Sequence, residues 1–238
     1  MKAGILSESP ADEAAVRVIM ERLAGVRFEI IQPALRARGW PNVMQVLPAV
    51  FHHLQMETDA ETLVVVVDSD DTPIHDGEHE NPDRFHPLCR ICQLEMVIRR
   101  ARKRIRLPDG RAPLFTAVGM AVPAIEAWYL CGIDPEVGEA RWQKCREDDW
   151  CPFNRRDLKQ RLYGTMRPTL ALETTHAVAE AKRLAADLRR LENDFPVGFG
   201  NLVRSVRAWK QDRQPGAMAA AGATARSRTH NLDTQINS

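Results

Sequence analysis

The stretch LVVVVDSDD at Leu63–Asp71 constrains the fold of this chain more than any other part of the sequence. Five apolar residues, four of them valines, run directly into three aspartates within four positions. A continuous apolar run that is rich in β-branched residues and bounded by polar ones is typical of a strand buried on both faces of a parallel sheet. The stretch therefore predicts an α/β fold in which helices flank a parallel sheet.

The aspartates at the end of this strand are the first candidate site. Parallel sheets bind their ligands beyond the carboxyl ends of the strands, so Asp68, Asp70 and Asp71 are expected at the mouth of the sheet. Carboxylates gathered there repel one another unless a cation or a proton intervenes. Hard oxygen ligands favour Mg²⁺ or Mn²⁺ over zinc. The alternative is that the acids only cap a turn or a helix.

Other α/β units surround the central strand. Strands are predicted at Ala3–Leu6, Val26–Ile31 and Leu114–Val118. Ser9 is a good N-cap for a helix, because Pro10 follows at the first helical position. Glu8 then lies at the carboxyl end of the first strand, where it could also be an acid favoured by the helix dipole.

The remaining pattern divides the chain into three regions. Residues 1–133 are predicted to form the α/β core, and residues 134–210 a helical extension that packs on it. Within the extension, 134–152 looks irregular, and apolar stripes predict three helices at Leu158–Leu162, Ala177–Leu191 and Phe199–Trp209. From residue 211 the chain has no periodicity and is rich in Ala, Gly, Ser and Thr, so 211–238 is predicted to be a disordered tail.

Two further groups of charged residues are candidate functional residues. Glu126 stands among apolar residues in AVPAIEAWYL, where an acid is costly unless it faces a cation, a partner or water. A basic run ends the helix that the apolar stripe Leu88–Ile105 predicts, and no acids on the same face balance it. Either it is a solvated helix face or it contacts nucleic-acid phosphates. The basic residues are Arg99, Arg100, Arg102, Lys103, Arg104 and Arg106.

A possible zinc site comes from Cys89 and Cys92, which follow the histidines of the polar segment Thr72–His86. A C-x-x-C motif beside His75, His79 and His86 is compatible with zinc. However, the sequence holds no second C-x-x-C or H-x-x-H, and an apolar stripe already assigns the cysteines to a helix. The sequence therefore favours two small, semi-buried hydrophobic residues one turn apart.

The composition says more about the cellular environment of the protein than about its binding partner. The chain has 238 residues and a formal net charge of +1, so global charge selects no partner. Five cysteines without a regular framework fit a reducing cytoplasm. No apolar run approaches the roughly 20 residues that a membrane-spanning helix needs, and the start MKAGILSESP has too short an apolar segment for a signal peptide.

The order of the motifs SESPADEAAVRVIMERL, VVVVDSDD and AVPAIEAWYL resembles the TOPRIM-like group allied with RloB and the OLD-family nucleases. The likeness covers about Lys2–Gly132. In that group the opening motif is usually E-G followed by T-E, whereas here Glu8 precedes Ser9 and the pair Asp12-Glu13 follows.

The resemblance implies a parallel TOPRIM/Rossmann-like sheet with Mg²⁺ or Mn²⁺ held by acids. Glu8 would act as general acid/base or ligand, Asp68 and Asp70 as ligands, and Glu126 as the acid of the later motif. The implied activity is metal-dependent phosphodiester cleavage in phage defence or nucleic-acid repair, with a partner ATPase as a further expectation and the basic helix as a substrate track.

Two alternatives stay open at this point. The first is a TOPRIM-like scaffold that binds nucleic acid without cutting it. The second is a phosphatase of the haloacid-dehalogenase type, because VVVVDSDDT also fits its D-x-D-x-T opening, with Asp68 as nucleophile and Asp70 as acid/base.

Overall fold

The fold is a parallel sheet between layers of helices, which confirms the predicted α/β class. The computed structural model describes residues 1–31, 38–76, 79, 85–148, 151 and 153–213. The strands are β1 (Lys2–Leu6), β2 (Glu29–Ile30), β3 (Thr62–Asp68) and β4 (Phe115–Ala121). They pair in parallel in the order β2–β1–β3–β4.

Helices make up most of the rest of the described chain. They are α1 (Pro10–Ala24), α2 (Gly39–Met56), α3 (Arg90–Arg104), α4 (Ile125–Leu130), α5 (Glu139–Glu147), α6 (Arg155–Tyr163), α7 (Leu170–Leu184), α8 (Leu188–Asp194) and α9 (Gly198–Asp212). Among the described residues, none of these helices has the length and apolar character that crossing a lipid bilayer requires.

The central strand β3 is buried along its whole length, as its sequence predicts. It lies between β1 and β4, with Val65 opposite Leu6 on one side and Val118 on the other. Each fully buried valine contributes about 1.5–3 kcal/mol to folding. The valine run therefore sets both the position of β3 in the sheet and much of the stability of the core.

The helices cover the sheet from both sides and share one hydrophobic core. Helices α2 and α3 pack on each other and on the sheet, while α1 packs on β1 and α9 on β4. In addition, α7 lies along α1. Buried side chains from α7 and α9 belong to the same apolar cluster as those of β3, so the helical extension completes the layers around the sheet.

The first loop after β1 forms as the capping pattern predicts. The Ser9 hydroxyl accepts a hydrogen bond from the Asp12 N–H at 3.2 Å, and Pro10 occupies the first helical position of α1. Cap and proline together start α1 directly after Glu8, and thereby hold Glu8 at the edge of the sheet.

Several element boundaries differ from the sequence-based prediction. Only Glu29 and Ile30 of the predicted second strand pair with β1. The segment predicted to be irregular contains α5, and the predicted long helix divides into α7 and α8, because the Asp187 carboxylate accepts the Arg190 N–H and begins a new helix. Helix α9 extends to Asp212, and residues 214–238 of the predicted tail lie outside the described residues.

Candidate active site at the β1–β3 crevice

The structure brings Glu8 and Asp68 together at the carboxyl ends of two neighbouring strands. Glu8 lies two residues beyond β1, and Asp68 is the last residue of β3. The backbone N–H of Asp68 donates to Oε1 of Glu8 at 3.0 Å. Because the strand order changes direction between β1 and β3, this point is the crevice in which open parallel sheets usually bind ligands.

Arg90, the first residue of α3, bridges the acids of this crevice. Its Nη1 atom lies 3.4 Å from Oε1 of Glu8 and donates to the backbone carbonyl of Asp68. Its Nη2 atom lies 2.6 Å from Oδ2 of Asp70. The Trp40 ring packs 4.8 Å from the guanidinium, and only 7% of the Arg90 side chain is exposed. Arg90 is therefore a fixed, buried part of the site.

Arg155, the first residue of α6, binds the two aspartates from the other side. Its Nη2 atom lies 2.8 Å from Oδ2 of Asp68, and its Nη1 atom 3.0 Å from Oδ1 of Asp70. The other oxygen of Asp68 accepts the Ile125 N–H at the start of α4, at 2.9 Å. With 43% of its side chain exposed, Arg155 is far more accessible to solvent than Arg90.

The backbone at Asp70 turns its carboxylate toward both arginines. Asp70 adopts a positive φ of 47°, in the left-handed region that short polar residues tolerate better than most. The Asp71 side chain is exposed, and its carboxylate is not one of those held by Arg90 or Arg155. The D-x-D pair thus faces the crevice, and Asp71 lies at its rim.

Burial and the nearby positive charges have opposite effects on the pKa values of the acids in this crevice. Burial raises the pKa of Glu8 and of Asp68. The positive charge of Arg155 opposes the rise in pKa at both acids, and at Glu8 the backbone N–H of Asp68 and the charge of Arg90 oppose it as well. In turn the charge of Asp68 raises the pKa of the Arg155 guanidinium. The three carboxylates Glu8, Asp68 and Asp70 face two guanidinium groups, so ionised acids would leave the crevice one negative charge in excess.

Glu126 belongs to a second ion-paired group beside the crevice. Its Oε1 atom lies 3.4 Å from Nζ of Lys159, which also lies 2.9 Å from Glu173. Its Oε2 atom is buried and has no hydrogen-bond partner among the described residues. The charge of Glu126 contributes to the raised pKa of Asp68, so the two groups share one electrostatic environment. The unpartnered oxygen can accept a hydrogen bond from water or bind a cation.

The predicted basic run lies at the opposite edge of the sheet. Arg90 begins α3 at the crevice, whereas Arg102 donates to the Leu114 carbonyl and to Thr116, at the amino end of β4. At 1.5 Å per residue, the basic residues of α3 lie about 14–21 Å from Arg90 along the helix axis. They are exposed, but they do not line the crevice.

The basic residues of α3 divide between two grooves. Arg99, Arg102 and Lys103 line a groove of about 450 Å³ that Ser205 of α9 also borders. Arg100 and Arg104 line a groove of about 290 Å³ against His52 of α2. Five of the six cations therefore present two surfaces on either side of α3, and the sixth, Arg106, follows the end of the helix.

The cysteine and histidine residues come together in a way that the sequence-based interpretation did not expect. Cys89 and Cys92 are fully buried, not semi-buried, and they lie beside His75 and His79. The interpretation failed because no local pattern shows that the connection between β3 and α3 turns back over the start of α3. Residues 77, 78 and 80–84 of that connection lie outside the described residues.

Sequence analysis also missed the basic residues of the crevice, Arg90, Arg155 and Lys159. One physical signal was present. A cation at the first position of a helix opposes the helix dipole, and both Arg90 and Arg155 occupy that position. The capping pattern of Asn154 and Asp157 predicts the start of α6 at Arg155. A cation in this unfavourable position indicates that an acid from another part of the fold stabilises it.

Comparisons of the chain with protein-family models, with curated proteins and with solved structures found no match.

Proposed function

We propose that this chain is a metal-dependent nuclease that cleaves phosphodiester bonds at the β1–β3 crevice. One observation carries the proposal. Glu8 and Asp68, two acidic residues that are 60 positions apart in the sequence, meet at the carboxyl ends of adjacent parallel strands. Asp70 joins them through the shared contacts of Arg90 and Arg155. Carboxylates bind divalent metal ions, and guanidinium groups bind phosphate, so a site that holds both suits a metal–phosphate complex.

The chemistry of the donor set fits Mg²⁺ or Mn²⁺. Glu8, Asp68 and Asp70 offer hard oxygen atoms, and Oε2 of Glu126 is a nearby buried oxygen without a partner. Displacing Arg155 alone would leave these three acids with one fixed cation, Arg90, a net charge of −2 that matches one divalent ion. When bound, such an ion polarises the phosphoryl group and lowers the pKa of a water molecule.

The chain's own residues would divide the remaining work. Arg155 would release the aspartates and bind a phosphate oxygen, because a guanidinium fork binds phosphate and carboxylate with similar geometry. Arg90 would stay in place and hold Glu8 and Asp70 in position. Glu8, close to the last backbone N–H of β3, would move the proton between the attacking water and the leaving oxygen.

A non-catalytic nucleic-acid-binding scaffold is the second candidate, and one observation favours it. Glu8, Asp68 and Asp70 each contact a guanidinium group already, so the crevice is held together without a metal. The phosphatase alternative has less support. Both oxygens of Asp68 are engaged, and Lys159, which lies beside the crevice, pairs with Glu126 and Glu173.

The test is a cleavage assay with the full chain. Labelled single-stranded DNA, double-stranded DNA and structured RNA are incubated with Mg²⁺, Mn²⁺ or a chelator. We expect metal-dependent cutting that falls at least about 100-fold in Glu8→Gln, the minimum that loss of a general acid/base typically costs. Adding Asp68→Asn to that variant should cost little more, because residues that act as a unit are non-additive.

Arg155→Ala, with Arg156→Ala as the matched control, tests whether Arg155 releases the two aspartates and binds phosphate instead. Both residues lie exposed in the first turn of α6, but only Arg155 contacts Asp68 and Asp70. The Arg155 variant should bind Mn²⁺ more tightly in calorimetry and cleave more slowly, and the control should do neither. Cutting that survives in Glu8→Gln would overturn the proposal. Binding of nucleic acid without cutting would establish the scaffold, and phosphate release from a small ester alone would establish the phosphatase.

A further inference from the structure

Four potential metal ligands meet in the connection between β3 and the start of α3. They are His75, His79, Cys89 and Cys92, and each is buried. One ligand atom from each residue lies within 4.8 Å of the ligand atoms of the other three. The Nδ1 atom of His75 lies 3.5 Å from both the Cys89 and the Cys92 sulfur. All five cysteines of the chain are free thiols, so neither sulfur is engaged in a disulfide.

The two distances from His75 to the cysteine sulfurs match tetrahedral zinc. Zinc binds thiolate sulfur at about 2.3 Å and imidazole nitrogen at about 2.0–2.1 Å, so tetrahedral ligand atoms lie about 3.3–3.8 Å apart, with sulfur and nitrogen near 3.5 Å. Both sulfur–nitrogen distances at His75 have this value. The ligand order is H-x₃-H-x₉-C-x₂-C, in which each pair has a spacing known from zinc sites.

A buried nitrogen without a partner is the second observation that indicates a metal. Nδ1 of His79 is buried and forms no hydrogen bond with any described residue. An imidazole nitrogen in that position is costly unless something binds it. The other ring nitrogen, Nε2, faces Oδ1 of Asp76 at 3.7 Å. A carboxylate behind a metal-bound histidine is the usual arrangement for orienting the ring.

Charge also favours a divalent ion at this place. Binding Zn²⁺ to two cysteines releases their two thiol protons to solvent, and the resulting pair of thiolates cancels the charge of the ion. The neutral Cys₂His₂ centre can be buried without an uncompensated charge. Thiolate and imidazole ligands select zinc over the magnesium that carboxylates favour.

We propose that His75, His79, Cys89 and Cys92 form a structural zinc site. Four protein ligands close the coordination sphere, as in structural and not catalytic zinc sites. Cys89 immediately precedes Arg90, the residue that bridges Glu8, Asp68 and Asp70. The zinc would therefore fasten the connection after β3 to the start of α3 and fix Arg90 in the crevice. The site does not depend on the proposed nuclease activity.

The first experiment measures metal content. The full chain is purified without chelators, reduced, reconstituted with Zn²⁺, desalted and analysed by inductively coupled plasma mass spectrometry. We expect about one zinc per chain, and less than about a fifth of that in Cys92→Ser and in His75→Ala. Cys145→Ser is the matched control, because Cys145 is also a buried thiol but lies in α5, outside the cluster. Full zinc content in Cys92→Ser and His75→Ala would overturn the proposal.

A second experiment needs no variant and covers the case in which the variants fail to fold. Co²⁺ titrated into the metal-free wild-type chain should give thiolate-to-cobalt charge-transfer absorption and the strong visible bands of tetrahedral coordination. One equivalent of Zn²⁺ should abolish them, and Mg²⁺ should not. Weak octahedral absorption without a thiolate band would mean that cobalt binds elsewhere, and the site would be rejected. Because the readout is spectroscopic, its outcome is independent of nuclease activity.

Discussion

Asp12 shows how the fold changes the chemistry of a single residue. It lies in the first turn of α1, where an acid normally gains from the helix dipole. Burial instead raises the pKa of Asp12 to about 7; the Ser9 hydroxyl opposes this rise, and the charges of Glu126, Glu173 and Glu8 add to it. Asp12 therefore holds a proton in the folded chain at pH values at which it is ionised in the unfolded chain.

This difference makes the stability of the protein depend on pH in a defined direction. Between about pH 4 and pH 7 the folded state binds more protons than the unfolded state, so the Asp12 contribution to the free energy of unfolding falls as pH rises. The limiting slope for one proton is about 1.4 kcal/mol per pH unit. Urea unfolding at several pH values should show a steeper fall in wild type than in Asp12→Asn, which cannot ionise.

The comparison isolates Asp12, since the other buried acids are present in both proteins. Asp109→Asn, which changes an exposed aspartate in the turn before β4, should keep the wild-type slope. Identical pH dependence in wild type and Asp12→Asn would show that Asp12 is ionised in the folded chain.

At the scale of the elements, α9 docks on the sheet through a close backbone contact. The buried carboxylate of Glu139 accepts the N–H groups of Val197 and Gly198 at 2.7 and 2.9 Å, and so caps the start of α9. A Cβ atom at Gly198 would lie 1.9 Å from the Met120 carbonyl oxygen of β4. Only glycine allows α9 to approach the strand this closely.

Replacing that glycine should destabilise the fold without touching the crevice. Gly198→Ala should lower the free energy of unfolding by about 3 kcal/mol, the upper part of the range for overpacked sites. Gly200→Ala is the control in the same helix. Its new Cβ would meet the flexible end of Arg204 at 3.4 Å and the Phe195 carbonyl oxygen at 3.9 Å, an ordinary van der Waals distance. Because alanine also favours helix, stability should stay equal or rise by about 0.5–1 kcal/mol. Equal effects in urea unfolding would contradict the docking contact.

At the scale of the whole molecule, the sheet separates two charged surfaces. The acid-rich crevice lies at the carboxyl edge, and the basic end of α3 lies at the amino edge. A nucleic acid that binds both must pass along one side of α3, and the two grooves offer different paths. The α3–α9 groove holds Arg99 and Lys103, and the α2–α3 groove holds Arg100 and Arg104.

Charge reversal in one groove at a time identifies the path. If the α3–α9 groove contacts phosphates, Arg99→Glu with Lys103→Glu should weaken DNA binding and flatten the slope of log K against log salt by about 1.8 for two lost contacts. Arg100→Glu with Arg104→Glu is the matched pair for the other groove. Fluorescence anisotropy at several salt concentrations gives both slopes. Unchanged affinity and slope in both pairs would make the basic run a plain solvated surface.

The layered α/β fold can be predicted from the sequence, because the patterns that indicate it are local. The valine run of β3 can bury both of its faces only inside a sheet that helices flank, and the Ser9–Pro10 pattern favours the start of a helix. The positions of Glu8 and Asp68 at strand ends followed from the same patterns. Their proximity was also predictable, since parallel strands end at one edge of the sheet.

The surroundings of those acids, in contrast, depend on how distant parts of the chain pack together. Arg90 and Arg155 come from helices far along the chain, and no sequence pattern near them shows that they pair with aspartates. The same holds for His75 and Cys92, which are brought together by a connection whose path depends on packing over α3. Local patterns report which faces are buried and where elements begin, whereas contacts between distant side chains depend on how the elements pack together.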